Sequence, residues 1–142
     1  DRHGGERLQP QTLAALQALI GMVPRWVWVT GNHDATIDPA LPGERVEECI
    51  VGGIAFRHET THGHGFEVSG HYHPKARVRL GRDRVAGACF VSDGIRLVMP
   101  AFGHYTGGLD IAQRDFLHVM PLAHRRVFLA YEGDMFLLPE GS

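Results

Sequence analysis

The sequence predicts an α/β layered domain met in its β-rich half. Three observations carry this reading. A single helical apolar pattern stands near the start. A wholly apolar strand follows and stops abruptly in a polar loop. After it come short alternating runs separated by Gly-containing turns.

Pro10 to Ile20 is the expected helix. Pro10 suits its first turn, Leu13, Leu16 and Ile20 recur on one side, and Gly21 closes it. Trp26 to Thr30 is β-branched and aromatic, which fits a strand covered on both faces, with Trp26 and Trp28 in the core. It ends at Gly31-Asn32-His33-Asp34, and loops at the carboxyl ends of such strands are where open α/β sheets bind ligands. Arg45 to Val51 and Ile54 to Arg57 read as a hairpin around Gly52-Gly53. Glu67 to Ser69 is a short strand delivering Gly70-His71-Tyr72-His73. Ala76 to Leu80 alternates and turns at Gly81-Arg82-Asp83, and Ala88 to Ser92 with Ile95 to Met99 forms a hairpin over Asp93-Gly94. Ile111 to Val119 is expected as a short helix, and Val127 to Tyr131 with Met135 to Leu138 as a last hairpin. No repeat or linker interrupts the chain, so residues 1–142 read as one domain.

The 142 residues are 44% hydrophobic and 21% charged, enough for one domain burying roughly 68–70% of its unfolded surface. A formal charge of -2 does not announce a nucleic-acid binder, so any such contact is a local patch. No segment is long and apolar enough to cross a bilayer and no secretory signal opens the chain, so a cytoplasmic protein is expected. Cys49 and Cys89 make no C-x-x-C pair. They read as reduced core thiols, with a single disulfide left open. Thirteen Arg against one Lys hints at a GC-rich bacterial gene. Nucleophile-elbow, P-loop, H-E-x-x-H and EF-hand patterns are all missing.

Ten histidines are the unusual count. Polar clusters follow three strands: Asn32-His33-Asp34, His58, and His71-x-His73. Imidazole nitrogens and an amide oxygen suit borderline divalent metals such as Mn, Fe, Ni or Zn. In a strand, alternation would put His71 and His73 on one side, facing one centre. Taken singly each cluster has a plainer reading: solvated or core histidines for H-x-H, a turn with a capping Asp for Gly-Asn-His-Asp. The ordered set of three is the stronger signal.

Gly31-Asn32-His33-Asp34, a later His, and Gly70-His71-Tyr72-His73 resemble the second half of the calcineurin-like metallophosphoesterase signature. Arg57-His58-Glu59, Gly70 to Val78, Phe90 to Gly94 and Pro100 to Leu109 are similar to its branch of PdeM-type, ligase-associated DNA damage response endonucleases. The resemblance runs from Asp1 to about Leu109 and fades beyond. It implies a four-layer αββα sandwich, of which this chain is the C-terminal, β-rich portion. It implies an enzyme: a phosphodiesterase or endonuclease acting on DNA in repair, beside a ligase and a helicase. It implies two divalent ions, Mn foremost, that activate water. Asn32, His58 and His71 would ligate one ion and His73 the other. His33 would steady the transition state or protonate the leaving oxygen, with Asp34 holding its ring.

The family's opening Asp-x-His and Gly-Asp motifs have no strand to carry them here. Asp1-Arg2-His3 spells the first literally, but its position fits the stretch just after the second. A missing N-terminal segment is therefore expected, and with it weak metal binding and little activity in this piece. Lys75 and Arg77 would meet substrate phosphate or form a solvated strand face. His104 and Tyr105 would line the substrate side or belong to a structural Gly turn. His62 and His64 form a second H-x-H in a loop near the site mouth. Glu59 would support His58. His118, His124, Arg125 and Arg126 are expected to face solvent. A phosphoesterase acting on small nucleotides and a non-catalytic scaffold that binds a repair partner are the rival readings, and oligomeric state stays open.

Overall fold

The computed structural model describes residues 8–31, 37–61, 63, 65–80, 82–103 and 107–141. The fold is mixed α/β and dominated by sheet. Helix α1 spans Pro10–Gly21 with Pro10 at its first position, and its only buried residue is Ile20. Strands β1 (Val27–Val29) and β2 (Glu44–Val46) pair in parallel as a small separate sheet. The larger sheet runs β10-β9-β7-β8-β5-β4-β3. Its members are β3 (Glu48–Val51), β4 (Ile54–Arg57), β5 (Phe66–Ser69), β7 (Asp83–Ser92), β8 (Arg96–Val98), β9 (Arg126–Tyr131) and β10 (Asp134–Leu137), and β6 (Lys75–Leu80) pairs with β7.

Two local rules explain much of this order. Gly52 and Gly53 both sit at positive φ, 58° and 81°, the conformation a two-residue hairpin turn demands, so β3 folds directly back on β4. Asp93 Oδ1 accepts hydrogen bonds from the Ile95 and Arg96 amides at 3.0 and 2.7 Å, while Gly94 takes φ 90°, turning β7 into β8. At the centre β4, β5 and β8 are mutually parallel. Their carboxyl ends, and the loops after them, therefore lie along one margin of the sheet.

One face of the sheet is the core. Val91, Val98, Val127 and Leu129 pack with Phe116, Val119 and Met120, which come from helix α2 (Arg114–Val119) and its C-terminal cap. Phe116 is fully buried, so truncating it to alanine removes one of the largest core side chains.

Several expectations need correction. Trp26 and Trp28 are half-buried rather than core, because β1 has only β2 as a strand partner among the described residues. Their rings instead pack on each other at 5.4 Å, and Trp28 Nε1 donates to the Pro42 carbonyl at 2.9 Å. The Arg45–Val51 run is two strands, since the chain bends at Glu47 and passes from the small sheet to the large one. β7 has ten residues, because Asp83 to Ala88 pair with β6 before Cys89 to Ser92 pair with β9. Ile111 does not begin α2. Its amide donates to the Lys75 carbonyl at 3.0 Å, and it lies in the turn that follows the Lys75–Asp110 bridge. Arg125 is buried, not solvated, and its guanidinium donates to the Ile111 carbonyl at 3.0 Å. Both cysteines are free thiols. Cys89 is buried, which pushes its pKa up to about 12, but Cys49 is only half-buried. Among the described residues no helix is long and apolar enough to cross a membrane.

Candidate metal centre

The candidate site lies where the parallel strands end. Arg57 closes β4 and the next residue is His58. Ser69 closes β5 and the chain turns through Gly70, His71, Tyr72 and His73. The amides of Gly70 and His71 donate to the His58 carbonyl at 3.1 and 2.9 Å, so adjacent strand ends fasten the two loops together. The side chains then meet. His58 Nε2 and His71 Nδ1 are 2.8 Å apart, with ring centroids at 4.7 Å and planes at 70°.

The loop after β1 reaches the same place. Thr30 N donates to the Val46 carbonyl at 2.9 Å, which carries the chain forward to Gly31. A Cβ placed on Gly31 would stand 2.4 Å from the His58 ring, so only glycine lets the backbone approach this closely. Gly31 is the last described residue before the Asn32-His33-Asp34 stretch. Asn32, His33 and Asp34, like His62, His64, His104, Tyr105 and the Asp1-Arg2-His3 triplet, lie outside the described residues.

The expected strand alternation of His71 and His73 is not observed. Both lie in the turn after β5, and His73 has φ 45°, a left-handed conformation uncommon for a residue with a Cβ. Such backbone costs of order 1 kcal/mol and persists where surroundings enforce it. Here they do. His73 N donates to the Gly70 carbonyl at 3.2 Å, and the His73 ring donates to the Gly107 carbonyl. So His71 meets His58 while His73 meets the loop from 107 onward. Burial lowers the His73 pKa, aided by nearby His71 and Lys75, which favours the neutral imidazole that ligates metals.

The setting of the pair is firm. Tyr72 packs edge-on against His71, ring centroids 5.0 Å apart, and also edge-on against Phe116 at 6.4 Å. A chain of ring contacts thus runs from the core to His58. Tyr72 Oη donates to Glu59 Oε1 at 3.0 Å, and burial together with that carboxylate raises the Tyr72 pKa to about 12. Glu59 therefore bonds Tyr72. The H-x-H reading treats the residue between the histidines as a spacer, and so misses Tyr72. Its signal is an aromatic residue that buried packing and a polar partner both suit. Behind His58, Arg57 forms an ion pair with Glu67 and another with Glu48, and donates to Thr61 Oγ1 at 3.0 Å. Burial by itself raises the Glu67 pKa, but hydrogen bonds from Thr60, Thr61 and Arg57 outweigh it and hold the carboxyl below its ordinary range.

Fit to a divalent ion can be tested on these atoms. With metal–nitrogen bonds of about 2.1 Å, neighbouring ligand nitrogens in a tetrahedral or octahedral shell stand about 3.0–3.4 Å apart. The 2.8 Å separation of His58 and His71 needs to widen by about 0.2–0.6 Å to seat both on one ion. Two imidazoles do not complete a shell, and among the described residues no three His, Cys, Asp or Glu side chains are grouped closely enough to hold a metal.

Beside His73 opens a cleft of about 610 Å³. Lys75, Arg77 and Asp110 line it, and Arg77 is paired with Asp110 at 3.3 Å.

No protein-family model and no curated protein matches this chain. Among solved structures it is similar to the crystal structure of Pseudomonas putida nuclease MPE, at a TM-score of 0.66 and 30% identity. The match covers 91% of this chain and spans 62% of the length of that one.

Proposed function

We propose that the chain belongs to a metal-dependent phosphodiesterase acting on nucleic acid, with DNA as its polymer. The likeness to a protein described as a nuclease supports hydrolysis of nucleic acid in general terms. The observation that carries the reading is the convergence of His58 Nε2 and His71 Nδ1 at the ends of two adjacent parallel strands, with Gly31 pressed against His58. In this reading His58 and His71 hold one divalent ion with Asn32, and His73 takes part in holding a second. Mn²⁺ is the first candidate, with Fe, Ni and Zn as alternatives. Such ions supply Lewis-acid charge at the phosphoryl oxygens and lower the pKa of water. Lys75 and Arg77 orient the strand by its phosphates. His33, its ring held by Asp34, protonates the leaving oxygen. A DNA ligase and a helicase as partners follow from the sequence resemblance alone.

A second reading, a non-catalytic scaffold, draws on the grouping of only two ligand side chains among the described residues. Calorimetric titration of Mn²⁺ into the purified protein, paired with hydrolysis of a labelled oligodeoxynucleotide, separates the two. Weak but saturable Mn²⁺ binding and slow Mn²⁺-dependent cleavage, both lost in His71→Ala, are the expected results. Mn²⁺ binding that His71→Ala leaves intact, or cleavage without any divalent ion, would overturn the proposed centre.

A further inference from the structure

The phenyl ring of Phe102 is fully exposed, at 110% of its reference area. A single exposed apolar side chain needs no explanation. What sets this one apart is its neighbourhood. It stands on the same cleft as His73, Lys75 and Arg77. Part of the cleft wall is nearly bare: Gly87 lies so close to the Ala130 carbonyl that a Cβ there would stand 2.6 Å from it, and the residues beside it are alanines. Methyl groups and backbone leave room for a flat body several ångströms across. Lys75 contributes an ammonium, and Arg77 keeps guanidinium N–H groups beyond the one facing Asp110.

A flat apolar ring, a shallow recess and two cations beside it match a nucleotide, whose base stacks and whose phosphate pairs with Lys or Arg. We propose that Phe102 is a base-stacking platform, and that the cleft seats one unpaired nucleotide with its base on Phe102 and its phosphate toward Lys75 and Arg77. The proposal rests on the nucleolytic reading and adds the part of the substrate that is gripped. It makes Phe102 a binding residue whose loss weakens capture of base-bearing strands.

The test compares two single-stranded oligomers of equal phosphate count, one with bases and one abasic, by fluorescence anisotropy without added metal ion. Phe102→Ala is expected to weaken binding of the base-bearing strand at least about fivefold. It should leave the abasic strand within about twofold, and Phe102→Trp should retain the wild-type preference. Because the ring is fully exposed, circular dichroism of both variants should match wild type. Equal losses on both strands, or none on either, would overturn the platform while leaving the nucleolytic reading standing. Wild-type protein that binds neither strand would overturn the platform too, while the nucleolytic reading stands or falls on the Mn²⁺-dependent cleavage assay.

Discussion

The parallel strands β4, β5 and β8 finish very differently at their two ends. At the carboxyl ends polar loops converge: His58 and His71 touch, Tyr72 wedges beside them, and Gly31 arrives from the smaller sheet. At the amino ends β4 and β8 are entered through tight turns, and an apolar row faces outward. Val51, Ile54 and Phe66 are partners across the ladder and Ile95 directly precedes β8, with exposures of 55%, 37%, 58% and 53%. The same strands thus carry the candidate site at one end and only strand-forming side chains at the other. Parallel pairing aligns all the carboxyl ends, so whatever follows each strand is brought to one place. The amino ends are aligned as well, but the glycine-bearing turns that enter β4 and β8 have few side chains to spare for a site.

Substitutions should respect that division. The largest effect is expected from His71→Ala, which removes one of two converging nitrogens. Mn²⁺ affinity should fall by more than about 100-fold and the slow Mn²⁺-dependent cleavage below detection, with the melting temperature little changed. If the activity survives, the carboxyl end is not the site.

Next comes the brace behind it. Arg57→Ala leaves the Glu67 carboxylate, whose side chain is only 3% exposed, without its cation. Thermal or urea unfolding should register a loss of about 3 kcal/mol. The linked pH dependence has a definite sign. The folded pKa of Glu67 lies below its ordinary 4.5, so its contribution is fully present above that value and disappears as pH falls through the folded pKa. Asp93 acts in the same direction below its ordinary 3.8, since burial, which raises its pKa, is outweighed by hydrogen bonds from Arg96 and Ile95. Unfolding measured from pH 6 down to pH 3 should therefore show stability falling below about pH 4.5, and Glu67→Gln should flatten the curve.

Tyr72→Phe is a finer probe. It keeps the ring edge against His71 and removes the hydroxyl donated to Glu59. Mn²⁺ affinity should fall about tenfold, the scale on which groups that orient a ligand act. No change in affinity would demote the Tyr72–Glu59 bond to a surface contact. Smallest of all is Phe66→Ser at the opposite end, where stability should stay within about 0.5 kcal/mol and activity should be unaltered. A large loss there would mean that the two ends are not separable.

Much of this division was legible in the sequence. Gly52-Gly53 marked the β3–β4 turn, Asp93-Gly94 marked the β7–β8 turn, and the short Glu67–Ser69 run delivered Gly-His-Tyr-His where it was expected. What escaped had a common cause, because neighbours in space overrode local pattern. Glu47 interrupts a uniform-looking run only because two sheets compete for it. Of Arg84 to Gly87 only Val85 has strand character by composition, and the stretch is strand because β6 lies alongside. Arg125 looked like one more surface cation beside Arg126, but carbonyls of Ile111 and Met120 receive it inside. The alternation of His71 and His73 failed because Gly70 begins a turn, and the positive φ of His73 sends the two imidazoles to different partners. Tyr72 could have been noticed, since a large aromatic flanked by ligand-type residues must either pack or be exposed, and here it packs.

The most direct measurement is a manganese anomalous difference map from crystals of the protein grown with Mn²⁺. The expected result is a peak about 2.2 Å from both a His58 and a His71 nitrogen, with the two nitrogens moved apart to admit it. A saturating soak that leaves no peak between those imidazoles, their 2.8 Å contact intact, would contradict the metal centre.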